Sequence, residues 1–383
     1  MVKNKPGKNK KLSILFVTTN LNYNGAKKYI VEVANELATR GCRVGLLYDS
    51  GPLAKKLVKE VRQYHIDLKG LGLDSVSRWR LVIKAATLAR NEDYTIIHSE
   101  SANSFISHKL LSFLSRAKIV ETIHHVWSSD QERRKAAAKI SGRADKIITI
   151  STSALKVLAS FGLKKRKIVV IQNGINTKEY EKINKNEVEV LRKNLGISKK
   201  DRVIISVSRV SRAKNFEAFV NWFPYILSSF PSAKLVIVGD NGSGDRGYLD
   251  GLIKKIRSLN LHKNIICVGG KTFVKNYLGL AEIYTVTTVA RGLAVLEAMS
   301  SGLPVVARKP LMPVKIETTI NGKTGLVFGK GDYKNWAGHI KYLLSNPTVA
   351  RKMGEEGRKR ASDFFTVQKH VDQLEKLYQR LKT

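Results

Sequence analysis

Acidic residues and cysteines are scarce in this chain. Of its 383 residues, 31 are Asp or Glu against 68 Lys or Arg, a formal net charge of +37. Cysteine occurs twice, as Cys42 and Cys267. Two such residues build no disulfide framework and fit no metal-ligand spacing. Each lies beside a strand-like segment and reads as a buried small hydrophobe. Long apolar runs are missing too: none reaches the roughly 18 residues that a membrane-spanning helix needs. The basic start is followed by an apolar run of only Leu12 to Val17, broken by Ser13. That is a buried strand, not a secretory signal, and the chain is expected in the cytoplasm.

Other absences narrow the function. There is no zinc-finger spacing and no aromatic-and-basic RNA-binding motif. The loop after the first strand is not a G-x-G-x-x-G dinucleotide fingerprint. No Asp-x-Asp pair of the metal-dependent kind occurs; Asp240 and Asp245 sit in the Gly-rich turn "GDNGSGDRGYLD". The positive excess suits polyanions (nucleic acid, anionic lipid headgroups or phosphorylated substrates), or else is a solvated surface with a biased composition behind it. Because the basic residues spread along the whole length, nucleic acid is the weaker partner and none is expected.

What is present is a core. Hydrophobic residues make up 43%, and the length suits two domains. Strand-like runs at 11–19, 43–49, 94–100, 118–125, 146–151 and 167–174 alternate with helical ones at 26–41, 52–64 and 77–92. In the first helix Ile30, Val33, Ala34 and Leu37 form one face and Gly41 stops it. A polar stretch, 175–197, reads as a linker leading into a helix. Alternation then restarts, with strands at 202–208, 233–240, 264–270, 283–288, 303–308 and 324–328. The tail is helical, with breaks near Asn346-Pro347 and Ser362-Asp363. This pattern predicts an α/β protein of two doubly wound, Rossmann-like domains with a helical finish. Ligands in such sheets sit at the carboxyl ends of the strands, and a cleft between two of them is the natural active site.

Three loops carry the chemistry. "TTNLNYNGAKKY" opens a helix; Gly25 lets backbone approach a ligand, and a helix N-terminus favours an anion, although a plain strand-to-helix turn reads equally well. "SVSRVSRAKN" places Arg209 and Lys214 in a strand-to-helix loop, where a guanidinium fork and a point charge suit a diphosphate; a solvated basic loop is the other reading. "VARGLAVLEAMSSGLPVVA" is the most specific. Gly292 permits close approach, the first-turn N–H groups of Gly292, Leu293 and Ala294 suit a phosphate, and Glu297 can accept from a ribose diol or merely complement the helix dipole.

In order and spacing, "NGAKKYIVEVANELATRG", "ETIHH", "VIQNGIN", "SRVSRAKN", "LVIVGDNG", "GLAVLEAMSSGLPVVA", "NGKTGLVF" and "MGEEGRKRA" resemble a retaining glycosyltransferase of the GT-B fold, family 4 (group 1), over about residues 11 to 380. The resemblance implies two Rossmann-like domains facing a cleft, with the C-terminal helix crossing back to the first. On it, residues 1–10 are a flexible basic tail and 11–183 are the acceptor-side domain, joined by helix 364–383. Residues 184–363 are then the nucleotide-sugar domain. Gly25 belongs to the glycine loop, and His124 matches the histidine near the donor's sugar and phosphate; on its own His124 reads as a satisfied core residue. Arg209 and Lys214 match the pair that neutralises the diphosphate, and Glu297 the carboxylate that holds the ribose. Arg291, Gly292, Leu293 and Ala294 complete the expected donor contacts. UDP-sugar is expected as donor rather than GDP-sugar, with no metal and no cofactor.

The chain also departs from the family. Val289 stands where the first Glu of the Glu–seven–Glu motif belongs, with Ala290 for a common Gly and Arg291 for a common aromatic. Asn24, Lys27, Ser208 and Asn176 replace a common Gly, Glu, Gly and Asp. Val289 accepts no hydrogen bond. Other groups then hold the sugar, or Arg291 adds charge near the phosphates, or the protein binds a nucleotide sugar and transfers it poorly. The first is favoured because Arg209, Lys214 and Glu297 stay in register.

Cleaving a sugar–diphosphate bond leaves negative charge on the leaving group, which prearranged cations stabilise. Retention implies that the acceptor attacks the face the leaving group vacates, and closure of the domains would exclude water. The acceptor, a glycan or lipid-linked molecule, is expected on the N-terminal half. Lys55, Lys56, Lys59, Arg62, Arg78, Arg80, Lys84, Arg133, Arg134, Lys135 and Lys139 there suit an anionic membrane surface on its inner face. The competing readings are a non-catalytic nucleotide-sugar or glycan binder on the same fold and an RNA-binding protein.

Overall fold

The alternation of strands and helices builds two all-parallel sheets. The computed structural model describes residues 12–22, 24–68, 75–100, 108–124, 143–241, 247–310 and 318–382. The tail expected over residues 1–10 lies outside them. The chain divides into one unit of Met1–Gly174 with Val367–Thr383 and a second of Ile175–Thr366.

In the first unit the strands are β1 (Ser13–Val17), β2 (Arg43–Tyr48), β3 (Val61–His65), β4 (Ile96–Glu100), β5 (Lys118–Ile123), β6 (Lys146–Thr149) and β7 (Ile168–Val170). They pair in the order β3-β2-β1-β4-β5-β6-β7, every pair parallel. The helices are α1 (Gly25–Thr39), α2 (Ser75–Asn91), α3 (His108–Ser115) and α4 (Thr152–Ser160). Strand β1, SILFV, is buried at every position, as a strand covered by helices on both faces must be. In α1 the expected face of Ile30, Val33, Ala34 and Leu37 is buried.

One expected element is different. The helix read over 52–64 is a short 3-10 turn at Pro52–Lys56 followed by β3. Pro52 opens the turn, and the chain reaches β2 in parallel register, Val44 beside Val61 and Tyr48 beside His65. At a sheet edge only one flank is covered, so Arg62, Gln63 and His65 stay exposed and the run lacks the apolar signature of an inner strand.

In the second unit the strands are β8 (Arg202–Val207), β9 (Ala233–Val238), β10 (Ile265–Cys267), β11 (Ile283–Val289), β12 (Val305–Arg308) and β13 (Gly325–Phe328). Their order is β10-β9-β8-β11-β12-β13. Around them lie α5 (Lys178–Glu181), α6 (Lys185–Asn194), α7 (Phe216–Leu227), α8 (Tyr248–Ser258), α9 (Lys275–Gly279), α10 (Leu293–Ser300), α11 (Tyr333–Ser345) and α12 (Pro347–Phe364). Phe219 stacks on Trp336 at 4.5 Å between centroids. Trp336 gives its indole N–H to Thr285 Oγ1 of β11 at 2.8 Å, so the largest core side chain is both packed and satisfied.

The last helix, α13 (Val367–Lys382), belongs to the first unit, as the resemblance implied. Val371 and Leu374 are fully buried there, and Arg40, which caps the end of α1, binds Asp372 at 2.6 Å and Glu375 at 2.8 Å. The second break of the helical tail falls at 365–366, a little beyond the expected Ser362-Asp363.

Candidate active site

In both sheets the strand order reverses beside the first strand, between β1 and β4 and between β8 and β11. Such a reversal opens a crevice at the carboxyl ends of the strands. In the second unit the loops after β8 and β11 flank it. The β8 loop is tied down at its base: Val210 gives its N–H to the Asp240 carbonyl at 2.8 Å, and Ser208 passes so close to Gly239 that a Cβ there would meet the Ser208 carbonyl oxygen at 1.9 Å. Arg209 is exposed and Lys214 half-buried. Thr287 of β11 gives its hydroxyl hydrogen to the Lys214 carbonyl, so the β8 loop is tied to the end of β11. Burial, then the charges of Arg209 and Arg308, hold the Lys214 amine below its ordinary value.

Helix α10 is preceded by Gly292, whose φ of +96° lies in the left-handed region that favours glycine. No side chain caps the helix and no acidic residue occupies its first turn. Its end therefore keeps the partial positive charge of its first-turn N–H groups. Leu293 is buried and Ala294 half-buried. Glu297, 5% exposed, accepts from the Tyr180 hydroxyl of α5 at 2.8 Å. Tyr180 escapes sequence reasoning: it lies 117 positions from Glu297, in a segment read as a polar linker. The nearby Glu297 charge, after burial itself, pushes the Tyr284 phenol up.

Strand β11 carries a bulge. Val286 pairs with Ala307, but Val289 and not Thr287 pairs with Arg308. Bulges re-aim side chains and gather beside functional sites. This one sets Val289 against Arg308, which the sequence reading did not single out. Burial, then the Arg308 charge, lowers the Arg291 guanidinium. The structure thus brings Arg209, Lys214, Arg291 and Arg308 into one cationic group at the ends of β8, β11 and β12.

In the first unit Gly25 is the exposed first residue of α1. Asn24 caps that helix by accepting the Lys27 N–H at 3.0 Å, so this loop spends one first-turn donor on its own side chain. Lys27 Nζ binds Thr18 Oγ1; burial lowers its amine, partly offset by Glu100. His124 follows β5 and is buried, its Nε2 2.6 Å from Glu100 Oε2 at the end of β4. Glu100 Oε1 lies 3.2 Å from His98 Nε2 without forming a hydrogen bond. His98 instead uses Nε2 on Thr122 Oγ1 at 2.7 Å and Nδ1 on the Tyr378 hydroxyl at 2.5 Å. Tyr29 meets His370 Nε2 at 2.6 Å and packs edge-on to the His124 ring at 4.9 Å. Burial pushes His98 and His370 down to about 4. Of this network the sequence reading named only His124.

Other expectations are placed as follows. Lys55, Lys56, Lys59, Arg62, Arg80 and Lys84 are exposed on the first unit, whereas the Arg78 side chain and Arg133, Arg134, Lys135 and Lys139 lie outside the described residues, as does Asp245. Neither cysteine forms a disulfide, and both are half-buried rather than buried; Cys42 Sγ lies 3.6 Å from Glu375 Oε1, and burial raises the Cys267 thiol to about 11. Among the described residues no group of three or more His, Cys, Asp or Glu is placed to hold a metal ion, and no helix is long and apolar enough to cross a membrane.

Comparison with known proteins identifies the family. Residues 23–179 match the family described as Glycosyltransferase Family 4, and residues 187–360 match Glycosyl transferases group 1. The chain is 24% identical over 363 residues to N-acetyl-alpha-D-glucosaminyl L-malate synthase of Bacillus anthracis, covering 91% of each chain. It is 24% identical over 357 residues to UDP-Gal:alpha-D-GlcNAc-diphosphoundecaprenol alpha-1,3-galactosyltransferase of Escherichia coli, covering 86% of this chain and 87% of that one. Its fold matches that of Anabaena HepE, whose crystal structure holds UDP and glucose, with a TM-score of 0.81 at 20% identity, over 96% of this chain and 100% of that one. The chain belongs to family 4, group 1, of the glycosyltransferases: it is a retaining, GT-B-fold enzyme that takes its sugar from a nucleotide-sugar donor.

Proposed function

We propose that the chain transfers a hexosyl group from a UDP-sugar to a glycan or lipid-linked acceptor, with retention and without a metal ion. The observation that carries this is the set gathered around the β8/β11 crevice. Arg209 and Lys214 follow β8, the uncapped start of α10 follows β11, and Glu297 is held by Tyr180 one turn further in. Arg209, Lys214 and the N–H groups of Gly292, Leu293 and Ala294 take the diphosphate; Glu297 takes the ribose hydroxyls. As the sugar–oxygen bond breaks, negative charge grows on the departing phosphate, and prearranged cations lower that barrier without reorganising. His124, fixed by Glu100, is assigned by the family resemblance to the donor's sugar and phosphate. Gly25 is assigned by the same resemblance to the glycine loop.

A panel of UDP-, GDP- and ADP-sugars tests this by thermal stabilisation, since a ligand of the folded state raises the melting temperature. UDP-sugars are expected to stabilise most, and free UDP to accumulate when acceptor is added. No stabilisation by any nucleotide overturns the proposal. Stabilisation without release of UDP would instead favour a non-catalytic binder, a reading to which Val289 gives some weight. Tight, salt-sensitive RNA binding that displaces UDP would favour the RNA reading.

The acceptor is assigned to the first unit, against an anionic membrane surface. Trp79 and Ile83 of α2 are 52% and 54% exposed and Phe113 of α3 is 81% exposed. Arg80 and Lys84, exposed on α2 beside the first two, add the charge that draws such a face to anionic lipid. The E. coli relative named above acts on a diphosphoundecaprenol acceptor. Vesicles of anionic lipid are expected to pull the protein down at low salt, and failure to do so sinks this part of the proposal.

A further inference from the structure

The cations at the donor site outnumber the phosphates they would meet. Arg209, Lys214, Arg291 and Arg308 end neighbouring strands or begin the loops that follow them. Burial first, and then the neighbouring cations, lower the proton affinities of Lys214 and Arg291. A nucleoside diphosphate linked to a sugar carries one negative charge per phosphate. Arg209, Lys214 and the start of α10 already answer two such charges.

Arg308 is the surplus. It stands in register with Val289, an aliphatic side chain that offers neither charge nor acceptor. Its Nε is buried and has no hydrogen-bond partner. None of the ion pairs formed among the described residues involves Arg209, Lys214 or Arg308. A buried guanidinium donor left unmade is costly, and a site that keeps one is waiting for an anion. Neutral sugar hydroxyls are a poor match, because a hydroxyl needs an acceptor for its proton and guanidinium has none to give. A carboxylate is the good match: planar, acceptor-only and able to take two parallel N–H bonds from one Arg fork.

We infer that the sugar carried by the donor is itself acidic, a hexuronate whose carboxylate is received by Arg308 beside Val289. The inference rests on the donor site proposed above and deepens it by naming the sugar's chemical class. Arg291 adds to the attractive field there, and Val289 removes the carboxylate that would have repelled such a sugar. This is specificity by a missing repulsion as much as by a new attraction.

Binding of UDP, UDP-glucose and UDP-glucuronate to the whole chain, by calorimetry or thermal shift, tests it. UDP-glucuronate is expected to bind at least about tenfold more tightly than UDP-glucose, the scale of one charge-assisted pair. Arg308→Gln is expected to erase that ratio while changing UDP affinity by less than about threefold, as expected if a hydrogen bond to the sugar alone is lost. Val289→Glu, which keeps Arg308 but neutralises it, is expected to invert the preference. Equal or tighter binding of UDP-glucose by the unaltered protein overturns the inference and leaves the glycosyltransferase proposal standing. So does an Arg308→Gln loss that is the same for all three ligands, which would make Arg308 a phosphate ligand. If UDP itself fails to bind, the UDP-donor proposal falls and this one falls with it.

Discussion

Glu297 and Glu100 are both buried carboxylates, yet their surroundings give them different work. Glu297 has Tyr180 as a hydroxyl donor at 2.8 Å and sits in a helix whose start faces the proposed diphosphate. Replacing it with Gln keeps the shape and removes the charge. A hydrogen bond to a charged group is worth about 1.5–3 kcal/mol, so Glu297→Gln is expected to weaken UDP binding roughly ten- to hundredfold; isothermal titration reads it directly. Glu100 accepts from His124 Nε2 at 2.6 Å and so sets which ring nitrogen carries the proton. Glu100→Gln removes that instruction. Turnover is expected to fall more than UDP affinity, because Arg209, Lys214, Glu297 and the start of α10 all belong to the second unit and only the His124 contact is disturbed. A matched loss of UDP affinity would mean that Glu100 only supports the fold. Lys214 adds a pH signature. Its amine titrates below the ordinary lysine value through burial and the charges of Arg209 and Arg308. UDP affinity is therefore expected to decline on the alkaline side earlier than an ordinary lysine would allow. Lys214→Arg, which stays charged, is expected to flatten that decline.

At the scale of elements, what could be read from the sequence follows a rule. Segments that bury both faces, such as β1 and β8, are continuous apolar runs and are legible as strands. The edge strand β3 is not, because Val61–His65 mixes one buried residue with exposed polar ones and its spacing suits a helix equally well. The donor loops were legible because Arg209, Lys214, Gly292 and Glu297 are local to their motifs. The partners were not. Glu100 and His124 are 24 positions apart and meet only because β4 and β5 pair. Arg308 reaches Val289 only because β11 bulges, and no local pattern announces a bulge. Gly292 is the element-scale hinge of the site. Its φ is +96°, and nothing lies within 4 Å of the point a Cβ would occupy, so the demand on it is conformational and not steric crowding. Gly292→Ala is expected to cost about 1–2 kcal/mol of stability from the left-handed backbone alone. It also brings a methyl to the opening of α10. A thermal-shift series with and without UDP separates the two effects: the apo melting temperature reports the strain, and the loss of UDP-induced shift reports the blocked approach.

For the whole molecule, the C-terminal helix decides how the first unit responds to acid. Two of its side chains end in that unit's buried network. His370 faces Tyr29, the Gln172 carbonyl, Glu100, His98 and His124. Tyr378 binds His98, which also faces Thr122, Glu100 and His124. Burial holds both histidines near 4 against an ordinary 6.5, the charge of Glu100 recovering only part of the loss. The native state therefore keeps both neutral over a range in which the unfolded chain binds a proton at each. Stability then rises with pH wherever the unfolded chain holds more protons. So this contribution is complete above about 6.5, is lost as pH falls from there toward 4, and changes no further below 4. Each histidine contributes a slope of about 1.4 kcal/mol per pH unit within that window. Lysine and arginine stay charged over this range while carboxylates begin to gain protons toward its acid end, so self-repulsion grows from the +37 carried at pH 7 and adds a general acid sensitivity. Amide protection across Val367–Lys382, taken relative to the intrinsic exchange rate at each pH, is expected to fall between pH 6.5 and 4.5 before the second unit responds, because that unit's sheet shares none of these histidines. His370→Gln is expected to remove about half of the slope at the cost of a lower plateau; a slope unchanged in that variant would place the acid sensitivity elsewhere.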